Sequence, residues 1–480
     1  MALAAAALVI IGATDAPAQP ARLTLADALR IASGANESIE IARAAVARAD
    51  ADSLRVASQR RPQLSFLGTY SRTLASEFSG AFSSAGPVCA PLSVNPSAPV
   101  ADRLAELERA ASCGAILPDL GFDNLPFGQR NIYQFQLSFS QTLYSGGRIS
   151  AESQRASQVH RAAEIATSAA EAQLALDVTR AFYDAALSDR LVAIAESGYN
   201  QASATHDQIR LAFEAGRQSE FELLRAQVAR DSQRPTVIRS KSDREIAYLR
   251  LRQLLKLAPD APLVLDVDLD TVDLAPPAPF AGALAAARAA GPSLDRASVR
   301  QAEALVGARE AGVTVAAAER RPSVALSSSL APVGYPSSGV FPGTGDFRTN
   351  WSLSASVSLP VLTGGRLRAM EASAEADLVE ARATLRQAKE WSLLDSATAL
   401  EDLSAAEAAL EASAGTVEQA ERAYQIAELR NREGLSTQLE LSDSRLSLQV
   451  AQANRAQAAR DVQVARARVA LLPSLPVAAR

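Results

Sequence analysis

Two stretches of strict alternation, each followed at once by an unusually long helical pattern, dominate the distribution of apolar and polar positions along the chain. In the first, Tyr133, Phe135, Leu137 and Phe139 share one face, while Gln134, Gln136, Ser138 and Ser140 share the other. In the second, Trp351, Leu353, Ala355, Val357 and Leu359 oppose Ser352, Ser354, Ser356 and Ser358. A period of two predicts strands, over about 132–144 and 350–362. An apolar face set against a face of small polar groups suits a membrane barrel, with lipid outside and water inside. An ordinary half-buried sheet strand is the alternative reading.

The stretches end in the same way. Tyr144-Ser145-Gly146-Gly147-Arg148 closes the first and Leu362-Thr363-Gly364-Gly365-Arg366 the second, an offset of 218 residues. The same offset carries Gly216 onto Gly434, so 214–219 overlies 432–437 and the chain is an internal duplication. From each glycine pair to the next of these glycines runs a proline-free helical pattern, about 147–215 and 366–433. At ~1.5 Å per residue, each helix would be roughly 100 Å long. The second carries a seam in which Leu403, Leu410, Val417 and Tyr424 recur every seven residues, with Ala406, Ser413, Ala420 and Ala427 between them. That is coiled-coil spacing, and its small residues allow close helix approach.

Weaker alternation predicts two more strands, about 63–73 and 323–331, each opened by an Arg-Arg-Pro triplet, Arg60-Arg61-Pro62 and Arg320-Arg321-Pro322. Helical stretches lead into these triplets, with breaks near Ser33–Asn36 and at Gly291-Pro292. Gly216 and Gly434 mark tight turns, after which helices return to about Lys256 and Leu472. A returning and an incoming helix, placed end to end, match one long helix in length, so each long helix would be flanked by a stacked pair. Pro235 predicts a kink in the first returning helix. The organisation expected is a leader over 1–18, a first repeat over 19–256, a proline-rich segment with a short strand near Val264 over 257–281, a second repeat over 282–472, and a short tail over 473–480.

Composition narrows the class. A net charge of −5 without a basic stripe speaks against a nucleic-acid partner. Leu3–Ile11 followed by Ala16-Pro17-Ala18 reads as a secretory signal peptide. No later apolar run reaches the ~20 residues of a membrane helix, so any crossing must use strands. The first inter-strand loop is about twice as long as the second and holds both cysteines, Cys89 and Cys113. In an exported protein these most simply form a disulfide; two unpaired thiols are the alternative. His160 and His206 stand apart from acidic or cysteine clusters in the sequence, and His206 falls on the position equivalent to Tyr424, so both are read as packing or surface residues. None of the lysines follows a phosphate-binding glycine run, and methionine is confined to Met1 and Met370. We expect no catalytic site, cofactor or metal.

Four strands cannot close a barrel whose smallest forms have about eight, so several chains must contribute; three would supply twelve strands. Taken together, the duplication, the strand–Gly-Gly-Arg–helix junctions and the glycine turns resemble the TolC-type outer-membrane channels of the outer membrane efflux protein family. The resemblance implies a mainly α chain with membrane β: a homotrimer whose strands, four per chain, form a 12-stranded barrel in outer-membrane lipid, on a coiled-coil helical barrel in the periplasm. It implies partners as well, a periplasmic adaptor and an inner-membrane ABC or proton-driven transporter. The turns Gly216-Arg217-Gln218-Ser219 and Gly434-Leu435-Ser436-Thr437 match the family's adaptor-contacting tips. Glu440 and Asp443 match two carboxylates at the periplasmic entrance, with Glu222 the first-repeat counterpart of Glu440; a solvated acidic face is the plainer alternative. The family's gate partners fall on Asn431 and Ser436, so that closing network is not preserved, and Arg430 or Arg432 are the substitutes on offer. Two rivals remain at this stage, a soluble coiled-coil scaffold and a self-sufficient porin. The cargo is not legible in the sequence.

Overall fold

In the computed structural model, which describes residues 22–75, 90–112, 130–269, 275–336 and 339–477, the alternating stretches are strands and the long patterns are helices. The first repeat runs β1 (Arg22–Leu23), α1 (Leu25–Ala35), α2 (Glu37–Ser58), β2 (Gln63–Arg72), α3 (Val100–Ser112), β3 (Asn131–Tyr144), α4 (Arg148–Glu214), α5 (Glu220–Asp231) and α6 (Gln233–Leu255). After β4 (Val264–Leu265), the second repeat runs α7 (Ala281–Ala290), α8 (Ala297–Ala318), β5 (Ser323–Gly334), β6 (Phe347–Ser358), α9 (Arg366–Arg432) and α10 (Gln438–Leu471). The chain divides into two units: Met1–Asp52, Gln154–Glu310 and Glu375–Arg480 form one, and Ser53–Ser153 with Ala311–Ala374 the other.

The second unit holds a four-stranded antiparallel sheet in the order β2-β3-β5-β6. Side chains alternate across it as the period of two requires, and among the described residues neither face is covered. Every residue of β2 is exposed, Phe66 by 69% and Leu64 by 68%, as are Trp351 by 76% and Leu353 by 71% in β6. Aromatic pairs tie the apolar face together: Tyr70 and Tyr133 lie 4.7 Å apart, and Phe66 stacks on Phe135 at 6.2 Å. Leu67 is the one large apolar side chain of β2 on the otherwise polar face.

The first unit is helical, apart from β1, which pairs in parallel with β4. Its main core joins Val178, Phe182 and Ala185 of α4 to Tyr248, Leu251 and Leu255 of α6 and to Ala459, Ala467 and Val469 of α10. Alanine at the contacts brings helix axes close, as ridges-into-grooves packing demands. Along α9 the seam positions Leu403, Tyr424 and Ala427 are buried, and Ala406, Leu410, Ser413, Val417 and Ala420 are partly so.

Helix ends meet where length matching predicts stacked pairs. The α6 C-terminus closes on Lys256 at φ 57°, whose ammonium pairs with Glu37 in the first turn of α2. In the second repeat the first N–H of α8, on Ala297, donates to the Pro473 carbonyl at 2.9 Å. Residues 473–475 therefore join these helix ends, with the Leu475 carbonyl accepting from Arg296.

The structure departs from the sequence reading in four places. The kink expected at Pro235 is a break at Ser232, three residues earlier, because a proline ring crowds the preceding turn and removes a donor. The strand read as 350–362 is β6, Phe347–Ser358; Ser358 pairs with Ser323, the first residue of β5, and Pro360 has no N–H to extend the ladder. The strand read as 323–331 continues to Gly334. Helix α3, within the long first loop, was not anticipated. The leader over 1–18 and Cys89 and Cys113 lie outside the described residues. Among those described, no helix is long and apolar enough to cross a membrane, which leaves strands untouched.

Candidate functional site

The two hairpin turns have one construction. Gly216 at φ 71° and Gly434 at φ 73° take the left-handed conformation that a Cβ would oppose. Wrapping hydrogen bonds close each helix, Arg217 N–H to the Ala212 carbonyl and Leu435 N–H to the Arg430 carbonyl, both at 2.8 Å. Ser219 and Thr437 then cap the returning helices, each hydroxyl accepting at 3.3 Å from the N–H of Glu222 or Glu440. Residues 216–220 are exposed, as are Gly434, Leu435 and Thr437.

Glu440 and Asp443 are exposed on the face of α10 opposite the buried Gln438, Leu441, Arg445 and Leu448. Neither meets a cation among the described residues. Glu222 is half-buried, and the neighbouring Arg225 guanidinium lies 6.0 Å from the Phe221 ring. At the positions of the family's gate partners, the Asn431 amide donates to the Ser436 carbonyl at 3.2 Å, and the Ser436 hydroxyl donates to the Ala427 carbonyl at 3.4 Å. Arg430 donates to the Leu435 carbonyl, and Arg432 pairs with Glu428 at 2.7 Å. All four polar side chains are thus engaged within their own hairpin.

A small separate cluster of Tyr424, Ala427, Leu441 and Leu448 packs this hairpin. Burial pushes the Tyr424 phenol up and the Arg445 guanidinium down from their usual ranges. Among the described residues, Arg445, 4% exposed, has no carboxylate within ion-pair distance, and the buried Gln438 Oε1 has no hydrogen bond. Sequence reading missed both residues; their places three and four from Leu441 on the inner helix face were the available signal.

The strand–helix junctions also share a backbone. Gly146 and Gly147 have φ of 62° and 91°, and Gly364 and Gly365 of 57° and 91°. Their surroundings differ. Gly146 is buried under Arg321, whose Cβ is 2.6 Å from where a glycine Cβ would stand and whose Nη1 donates to the Gly146 carbonyl at 3.0 Å. Arg148, which follows, pairs with Glu152 at 2.8 Å. Gly364 has nothing within 4 Å of its Cβ position, and both Gly364 and Arg366 are exposed.

The histidines need one correction. His160 has acidic neighbours after all, Asp50 at 2.9 Å and Glu164 at 3.7 Å, and Asp50 comes from α2, far away in sequence. His206 is buried like its counterpart Tyr424 and sits 3.4 Å from Arg230. Both serve helix packing.

A family model described as outer membrane efflux protein matches residues 105–255 and 294–473. Nodulation protein T of Rhizobium leguminosarum bv. viciae is 27% identical over 252 residues, covering 52% of this chain and 50% of that protein. The match to its counterpart from bv. trifolii is 31% over 175 residues and covers 35% of each. The chain therefore spans half or less of the length of the curated relatives it matches. Among solved structures, VceC from Vibrio cholerae superposes with a TM-score of 0.69 at 19% identity, covering 94% of this chain and 96% of that one. The open state of the Neisseria gonorrhoeae MtrE outer membrane channel gives 0.69 at 19%, covering 94% and 89%. At these identities the likeness is one of fold.

Proposed function

The chain belongs to the outer membrane efflux protein family, and on that premise we propose that it is the exit duct of a tripartite efflux pump or a type I secretion system, three copies closing one channel. Its place is the outer membrane. The observation that carries the proposal is the sheet: four strands, apolar on one face and polar on the other, with both faces uncovered and both edges, β2 and β6, unpaired among the described residues. A soluble scaffold would bury one such face, and a self-sufficient porin would need about eight strands or more from a single chain.

The duct is passive. An inner-membrane ABC or proton-driven transporter supplies the energy, and a periplasmic adaptor docks on the turns at Gly216–Ser219 and Gly434–Thr437. Opening is an untwisting of the hairpins as adaptor contacts outweigh those of the closed state. Glu440 and Asp443, repeated about a symmetry axis and free of cations among the described residues, form acidic rings that admit cations and hold back anions.

Planar-bilayer recordings test this reading. Wild-type protein should be cation-selective, and the Glu440→Ala, Asp443→Ala double variant should lose most of that preference while keeping its conductance. Unchanged selectivity would remove the rings from the mechanism.

A further inference from the structure

The two hairpins of the sheet correspond residue for residue. Moving β2 forward by 260 positions and β3 by 218 turns the pair Gln63–Ser140 into Ser323–Ser358, Leu64–Phe139 into Val324–Val357, and Tyr70–Tyr133 into Leu330–Trp351, and all six pairings are present. The chain therefore also contains a worked example of how one hairpin joins the next, the β3–β5 ladder in the middle of the sheet. Applying the same two shifts to that ladder specifies how β6 would receive the β2 of another copy. Ser138–Ser329 becomes Ser356 with Thr69, Phe139–Ser328 becomes Val357 with Gly68, and Leu137–Leu330 becomes Ala355 with Tyr70. Each pair keeps like faces together, as two even shifts that carry each strand onto its counterpart must. A slip by one residue would have mixed the faces.

A second, independent feature points to the same joint. Arg321 clamps the first strand–helix junction through the Gly146 carbonyl. Its counterpart under the shift is Arg61, in the matching Arg-Arg-Pro triplet. Arg61 is exposed, and its guanidinium has no partner among the described residues. The counterpart of Gly146 is Gly364, which has the same backbone, an empty surrounding and an exposed position. Socket and plug stand at opposite edges of one sheet, so a single chain cannot join them.

We propose that β6 of one copy pairs antiparallel with β2 of the next in the register Ser356–Thr69, and that Arg61 of the incoming copy donates to the Gly364 carbonyl. The proposal rests on the multi-copy reading above and gives it a residue-level joint. Arg61 thereby sets where the strand ladder ends and the long α9 helix begins, across the subunit boundary, as Arg321 does for α4 within the chain.

Cysteine pairs read the register directly, because residues directly opposite in a ladder lie within disulfide reach, whereas a two-residue offset does not. In full-length protein carrying Cys89→Ser and Cys113→Ser, copper-phenanthroline oxidation of Ser356→Cys with Thr69→Cys should yield covalent trimers on non-reducing gels. Ser358→Cys with Thr69→Cys should stay monomeric on the same gels. The reverse result would overturn the register while leaving the multi-copy duct standing. Absence of any covalent species, together with a monomer by light scattering, would overturn both. For the clamp, Arg61→Ala should lose its detergent-resistant trimer at a temperature where wild type keeps it, with Arg61→Lys restoring part. Wild-type resistance in Arg61→Ala would dismiss the clamp.

Discussion

Tyr183 shows how a single buried group couples to solution conditions. Its ring meets Phe182 edge-on at 5.5 Å in the main core, and burial pushes its phenol up to about 12. The unfolded chain releases that proton near 10, so the contribution to stability is complete below pH 10 and is lost progressively as the pH rises from 10 to 12. Two pH units correspond to roughly 2–3 kcal/mol per chain. Urea midpoints followed by helical circular dichroism should fall over that window, and Tyr183→Phe should flatten part of the fall. Tyr248, raised by burial and by its hydrogen bond to Asp189, accounts for a further part. A midpoint in Tyr183→Phe that drops as steeply as wild type would place the alkaline sensitivity elsewhere.

At the scale of elements, the joint between α10 and α8 is held by a network of buried and part-buried hydrogen bonds and ion pairs. Arg296, 1% exposed, donates to Asp395 at 2.9 Å, to Ser396 at 3.1 Å and to the Leu475 carbonyl at 3.4 Å, while Arg468 takes the other oxygen of Asp395 at 2.8 Å. Removing one partner of a buried ion pair leaves the other charge desolvated, so Asp395→Asn should cost about 3–5 kcal/mol in chemical denaturation, whereas Arg296→Met with Asp395→Leu should recover much of the loss. A single variant as stable as wild type would show that the joint is held by the Ala297–Pro473 bond alone. None of these partners is visible in the sequence, because Arg296, Asp395 and Leu475 meet only through folding. What the sequence does display is whatever local sterics enforce: the alternation of β3 and β6, the glycines at positive φ, the length of α4 and α9. Sheet order, the Asp50 beside His160 and the clamp on Gly146 depend on distant residues. Helix α3 is absent from the sequence reading although Val100, Leu104 and Leu107 recur at helical spacing; it is short, and those side chains remain exposed.

For the molecule as a whole, the governing fact is that its two tryptophans report on different surroundings. Trp351 stands on the apolar face of the sheet, 76% exposed, and its Nε1 donates to Ser328 at 3.0 Å along the strands rather than toward a core. Trp391 lies on α9 in the helical unit, 37% exposed. An uncovered apolar sheet of this extent has no stable home in water, and the free energy of burying it at about 25 cal/mol per Å² is realised only when lipid supplies the missing layer. The helical unit carries its own core and has no such need. In vesicles containing lipids with a nitroxide on the acyl chain, the fluorescence of a Trp391→Phe variant should therefore be strongly quenched and that of a Trp351→Phe variant scarcely at all. Equal quenching would mean that the helical unit also enters the bilayer; protection of Trp351 would mean that some protein surface, not lipid, covers this face. The second outcome would remove the physical reason for several copies to combine their strands, since a sheet already covered on its apolar side has no need to close into a barrel.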